Sequence, residues 1–187
     1  MNLPNKLTVL RVVMIPVFVA LYFGLGIPHN YFWALLVFGA AAITDLFDGI
    51  IARRRGLLTD FGALMDPLAD KLLVMAAMLC FLATGLVHTA VVIMLLSREF
   101  LVTSLRLVAA GKKIVIRADN WGKAKTAFQM VWICFGLLFL WLDTWLPVYH
   151  HLPYWVLFNA LTLVVLALTT LSGLNYLVKN KKLIADA

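Results

Sequence analysis

Four carboxylates stand out in a chain that otherwise avoids charge. Asp45, Asp48, Asp66 and Asp70 lie in one stretch of a 187-residue sequence in which 64% of residues are hydrophobic and only 13% are charged. Asp45 and Asp48 stand at i and i+3 and Asp66 and Asp70 at i and i+4. On helices each pair shares a face, with side chains roughly 5–6 Å apart. If the two helices are antiparallel neighbours joined by the short 54–60 turn, the pairs face each other at one depth. Four like charges so close repel strongly unless a cation lies between them. Carboxylate oxygens alone suit Mg²⁺ or Mn²⁺, which keep some water and take phosphate oxygens as further ligands. The stretch holds no His or Cys that would favour zinc. Gly49 and Ala52 remove bulk beyond Asp48, so a ligand can approach the backbone, and Arg53 adds a fixed cation suited to phosphate.

The elements that carry these groups are apolar enough to be membrane spans. Six stretches approach the ~20 residues needed to cross a bilayer, at about 6–25, 31–54, 66–86, 89–110, 121–142 and 154–178. The expected fold is therefore all-α: a polytopic membrane protein of six transmembrane helices. No repeat of 20–50 residues and no linker divides it, so residues 1–187 read as one membrane domain. The net charge of +7 would invite nucleic acid in a soluble protein; here the basic residues mark loops held on one side of the membrane, and nucleic acid is rejected as a partner. Cys80 and Cys134 sit inside apolar runs, where they pack rather than bind metal or cross-link. The first apolar run lacks a small-residue cleavage site after it and reads as a retained helix. Pro16 should bend that helix.

Basic residues fix the orientation. They gather at Lys6 and Arg11, at Arg53 to Arg55, from Arg106 to Arg117, and from Lys179 to Lys182, whereas the turns near 26–30, 84–88 and 143–153 have no Lys or Arg. Both termini are then cytoplasmic, and the aspartates sit at the inner ends of spans two and three, around a cytoplasm-facing polar cavity that lipid can reach sideways. His29, His88, His150 and His151 fall on the opposite side, as interfacial residues rather than ligands.

Other polar groups join the aspartates. Arg98-Glu99 lies mid-span, as a structural ion pair or as part of the site. Arg106, Lys112, Lys113 and Arg117, with Lys123, Lys125, Thr126 and Gln129 opening span five, form a basic rim; positive-inside anchoring explains the loop cations but not polarity carried into a span, which a bound anion would explain. Asn5, Thr8 and Arg11 share one helical face, either as a surface-lying anchor in which Arg11 snorkels to the head groups or as a substrate contact.

The pattern Asp45-x2-Asp48-Gly49-x2-Ala52-Arg53-x8-Gly62-x3-Asp66-x3-Asp70 is filled at all eight fixed positions and resembles the signature of the CDP-alcohol phosphatidyltransferase family, integral membrane enzymes of phospholipid synthesis. Helix capping or pairing with Arg53 to Arg55 would account for one or two of the acids, not four. The Asn-Leu-Pro-Asn-x-Leu-Thr-x2-Arg run at residues 2–11, Arg98-Glu99, Ser104-x-Arg106 and Gly122-Lys-x-Lys-Thr-x2-Gln129 look like the bacterial members whose donor is CDP-diacylglycerol and whose acceptor is glycerol 3-phosphate. The resemblance implies two Mg²⁺ or Mn²⁺ ions held by Asp45, Asp48, Asp66 and Asp70, with Asp70 also the catalytic base. It further implies CDP held by Asp45, Asp48, Gly49, Ala52, Arg53, Gly62 and Asp66, a homodimer, and a place in the bacterial cytoplasmic (inner) membrane. The acceptor phosphate is expected at Arg106, Lys123 and Lys125, with Arg117 beside them. Two other readings stay open: a family member with another acceptor, such as inositol phosphate or serine, and a divalent-cation transporter. The gathering of the acids at one end of the membrane and the lack of repeat symmetry speak against the transporter.

Overall fold

Wherever the sequence runs apolar for five turns or more, the chain is helical. The computed structural model describes the backbone of residues 3–24, 26–55, 60–112, 120–145 and 152–181, and side chains at 9–24, 26–44, 69, 71–112, 120–144 and 154–181. Among these residues the elements are α1 (Leu3–Tyr22), α2 (Asn30–Arg55), α3 (Asp60–Ala83), α4 (Thr89–Gly111), α5 (Asn120–Trp145) and α6 (Leu152–Lys179). All six expected spans fall on these helices. The largest difference is at α3, which starts at Asp60 rather than near residue 66, so Gly62 and Asp66 belong to the helix. The six added residues, Asp60 to Met65, are mostly apolar; it is Asp60, Gly62, Asp66 and Asp70 that interrupt the apolar run there and hide the start of the helix. α1 runs on helically through Pro16.

Local chemistry ends the helices. Gly85 takes φ 74°, a left-handed conformation that glycine adopts without strain. There its amide donates to Leu82 O (3.0 Å) and that of Leu86 to Phe81 O (2.9 Å), closing the last carbonyls of α3. Three residues on, His88 caps α4, its Nδ1 accepting from the Ala90 amide at 3.2 Å. On the same side His29 Nδ1 accepts from Trp141 Nε1 at 3.1 Å and so ties the α1–α2 turn to α5. Both histidines act as structural polar groups; His150 and His151 lie outside the described residues.

α1 packs against both α2 and α3, α2 also meets α5, α5 pairs with α6, and α4 lies against α6 and α3. At the centre is an aromatic knot. The Phe81 ring meets Trp132 edge-on at 5.5 Å, Trp132 stacks on Phe158 at 5.9 Å, and Tyr22 closes the α1 side at 6.2 Å from Phe81. Trp132 satisfies its indole by donating to Thr162 Oγ1 at 2.9 Å. The knot needs Gly136: a Cβ there would stand 2.6 Å from Phe81 and 3.0 Å from Phe158. Cys80 is buried and Cys134 half-buried, both as free thiols.

Apolar side chains also cover the outside. Phe100, Leu107, Leu163 and Val178 are each at least 60% exposed, which suits a surface that meets lipid. By length and composition Asn120–Thr144 and Tyr154–Lys179 can cross a bilayer, and Val9–Tyr22, Asn30–Thr44 and Lys71–Ala83 are shorter apolar helical segments. The fold is that of a helical membrane protein.

Candidate active site

A cavity of about 640 Å³ opens between α2, α3, α4 and α5, lined by Ala42 and Ile43, by Lys71 to Met78 on one face of α3, by Arg98 to Arg106, and by Gly122 to Met130. These are the middle of α2, the middle of α3, the middle and late part of α4 and the early part of α5. The cavity therefore runs from mid-bundle toward the ends of α4 and α5 that border the basic 112–120 connection.

The Asp motif is placed by its backbone. Asp45 lies within a turn of Ala42 on α2, and Asp70 immediately precedes Lys71 on α3. The helical segments that bear Asp45, Asp48, Gly49, Ala52 and Arg53, and Gly62, Asp66 and Asp70, therefore run directly into the cavity wall. Their side chains lie outside the described residues, as do Arg117 and the side chains of Asn5 and Thr8. Among the described residues no three His, Cys, Asp or Glu side chains gather.

Part of the expected basic rim lines the cavity; Lys112 is not among its lining residues, and Lys113, like Arg117, lies outside the described residues. Arg106, Lys123, Lys125, Thr126 and Gln129 all line the cavity, joined by Lys71 and Arg98. Against these five cations Glu99 is the one carboxylate among the described lining residues. Walls this apolar and this positive favour an anion, because charges interact more strongly where water is scarce.

Each of the supported cations has a definite partner. Lys125 is 1% exposed and donates to Glu99 Oε1, which also meets Arg98 NH1 at 3.4 Å. Arg98 NH2 donates to Ser172 Oγ on α6 at 2.6 Å. The guanidinium of Arg106 lies over the Tyr176 ring at 5.8 Å, a cation–π contact. Lys71 donates to Thr103 Oγ1, and that hydroxyl donates on to Glu99 O at 2.7 Å. Gln129, 3% exposed, reaches Met78 Sδ at 3.3 Å.

Four residues of this arrangement were not among the sequence expectations: Lys71, Thr103, Ser172 and Tyr176. The signal for α6 was present, since Thr162, Thr169, Ser172 and Tyr176 recur at spacings of seven, three and four along one face. Of the two expectations for Arg11, the snorkelling anchor does not hold: the side chain is 1% exposed, on a helix that packs against both α2 and α3.

The sequence pattern of the CDP-alcohol phosphatidyltransferase family matches residues 1–171. A Bacillus subtilis (strain 168) protein named CDP-diacylglycerol--glycerol-3-phosphate 3-phosphatidyltransferase is 38% identical over 194 aligned positions, which cover 96% of this chain and 95% of that one. An Escherichia coli (strain K12) protein of the same name is 40% identical, covering 70% of this chain and 73% of its own. A Mycobacterium tuberculosis protein named probable phosphatidylglycerophosphate synthase is 45% identical over 70% of this chain and 63% of its own length.

Proposed function

Because the chain belongs to the CDP-alcohol phosphatidyltransferase family, we propose that it transfers a phosphatidyl group from CDP-diacylglycerol to glycerol 3-phosphate, giving phosphatidylglycerophosphate and CMP. The observation that carries the choice of acceptor is the cationic cavity. Arg106, Lys123 and Lys125 line it together, next to the Asp-bearing segments of α2 and α3, so a phosphate-bearing acceptor can be gripped beside the reacting centre.

In this reading the acceptor hydroxyl attacks the phosphorus that bears diacylglycerol, a new oxygen–phosphorus bond forms, and the bond to CMP breaks. Asp70 takes the hydroxyl proton; a base here must come within hydrogen-bond reach of that hydroxyl. Asp45, Asp48, Gly49, Ala52, Arg53, Gly62 and Asp66 hold CDP. The donor set of four carboxylates without His or Cys fits hard divalent ions such as Mg²⁺ or Mn²⁺, and Asp45, Asp48, Asp66 and Asp70 would hold them. Such ions supply neutralisation of the charge spread over the transferring phosphoryl group, on which these reactions chiefly depend. Arg106, Lys123 and Lys125, with Arg117, grip the acceptor phosphate and align its hydroxyl, and alignment is the chain's other main lever.

The same reading makes all six helices membrane spans of one domain, with both termini cytoplasmic and the cavity facing the cytoplasm, in the inner membrane of a bacterium and as a homodimer. The basic residues at one end of the helices support this orientation. The proposal is tested by label transfer. Radiolabelled glycerol 3-phosphate, incubated with purified protein, CDP-diacylglycerol and Mg²⁺, should deliver its label to the lipid phase and lose that delivery with chelator. Label that stays in water under all conditions refutes the reading, and divalent-cation flux in liposomes without CDP-diacylglycerol would replace it with transport.

A further inference from the structure

Arg98 and Glu99 are a costly pair to keep in the middle of an apolar helix, and the transfer reaction as described gives them no task. Their contacts do. Glu99 Oε1 accepts from Lys125 of α5 and from Arg98 of its own helix, and Arg98 in turn donates to Ser172 of α6 at 2.6 Å. Three helices are joined in one chain of polar groups, a serine hydroxyl, a guanidinium, a carboxylate and an ammonium, that ends on a cation lining the cavity.

The packing holds this chain in place. A Cβ at Gly173 would come within 3.3 Å of Arg98 Cγ, and one at Gly122 within 3.8 Å of Arg98 NH2. The small residue on α6, Gly173, therefore leaves room for the Arg98 stem, whereas a side chain at position 122 would make only ordinary contact with the guanidinium, whose fork is turned to Glu99 and Ser172. The carboxylate is fixed from one side by Arg98 and presents the same oxygen to Lys125.

We propose that Glu99 is a positioning residue for the acceptor site, holding the Lys125 ammonium where the acceptor phosphate binds, with Arg98 and Ser172 as its own supports. The inference rests on the phosphate-bearing acceptor proposed above. A lysine side chain is long and rotamer-rich, so a site that fixes it beforehand avoids ordering it at the moment of binding. An ammonium has three donors, so its contact with the carboxylate does not in itself exclude a phosphate. Glu99 acts on the substrate through Lys125.

The test is steady-state CMP release by purified full-length protein, with KM measured separately for glycerol 3-phosphate and CDP-diacylglycerol. Glu99→Gln keeps the shape and removes the charge. It should raise KM for glycerol 3-phosphate about tenfold, as expected for loss of one charge-assisted hydrogen bond, and leave KM for CDP-diacylglycerol unchanged. Glu99→Asp should recover part of the loss. In the double variant Glu99→Gln/Lys125→Met the KM for glycerol 3-phosphate should equal that of Lys125→Met alone, because two residues acting as one unit are not additive. This comparison serves even where Glu99→Gln alone does not fold, since the double variant leaves no buried unpaired ammonium. An unchanged acceptor KM in Glu99→Gln, equal rises for both substrates, or effects that multiply in the double variant would each overturn the proposal. Wild-type protein that releases no CMP with glycerol 3-phosphate would instead overturn the acceptor reading, and this inference with it.

Discussion

A lysine that is 1% exposed inside an apolar bundle needs a partner, and Lys125 has one in Glu99. Arg106 is supported differently, over the Tyr176 ring, and Lys71 by the Thr103 hydroxyl. That Arg106, Lys123 and Lys125 would gather was legible in the sequence, because polarity carried into the first turns of an apolar span is costly unless a ligand or a buried partner meets it. Their supports were not, because Lys125 and Glu99 are 26 residues apart and Arg98 and Ser172 are 74 apart, and only the packing of α4, α5 and α6 joins them. Asp70→Asn should lower kcat by about 10²–10⁴-fold, the usual worth of a positioned base, with purified protein, Mg²⁺ and both substrates saturating; turnover within about twofold of wild type would remove Asp70 from that role. Arg106→Ala should raise KM for glycerol 3-phosphate by about tenfold or more with little change for CDP-diacylglycerol, and equal rises for both would show that Arg106 supports the fold instead.

The helices carry the site because their interiors leave no slack. Gly136 shows this most directly: the Phe81 ring occupies the space where any side chain on that part of α5 would go, and the Phe81–Trp132–Phe158 contacts depend on it. Gly136→Ala should destabilise the protein by about 1–3 kcal/mol, the common cost of overpacking, read as a lower midpoint of thermal unfolding in detergent. Gly39, also within a helix, has open space at its Cβ position, so Gly39→Ala should be neutral or stabilise by up to about 1 kcal/mol. Equal effects of the two would show that helix propensity, not the aromatic knot, governs. The two glycines look alike in sequence, each a small residue in an apolar run. Helix positions were readable from the period and length of those runs, while the early start of α3 at Asp60 was not, because Asp60, Gly62, Asp66 and Asp70 break up the apolar run at that end.

At the scale of the molecule, charge is sorted to one end. The described cavity, the basic residues and the segments bearing the aspartates share that end, and the cap at His88 and the His29–Trp141 clip mark the other. This sorting was legible from the alternation of basic and cation-free turns, since it depends only on which loops carry Lys and Arg. It can be checked by labelling with a membrane-impermeant maleimide in inverted bacterial vesicles, on a background where Cys80 is buried and Cys134 half-buried. A cysteine at exposed position 112 should react and one at exposed position 89 should not; the reverse pattern would turn the protein over and place the cavity outside the cell.

The proposed direction of a metal-dependent phosphatidyl transfer to a phosphate-bearing acceptor by the cationic cavity can be tested by CMP release from the purified protein with CDP-diacylglycerol and Mg²⁺, comparing glycerol 3-phosphate, inositol phosphate, serine and glycerol. Release that depends on glycerol 3-phosphate, with the other three near background, is the predicted result. Release driven equally well by serine or glycerol would contradict the role given to Arg106, Lys123 and Lys125, and no release with any acceptor would contradict the transfer itself.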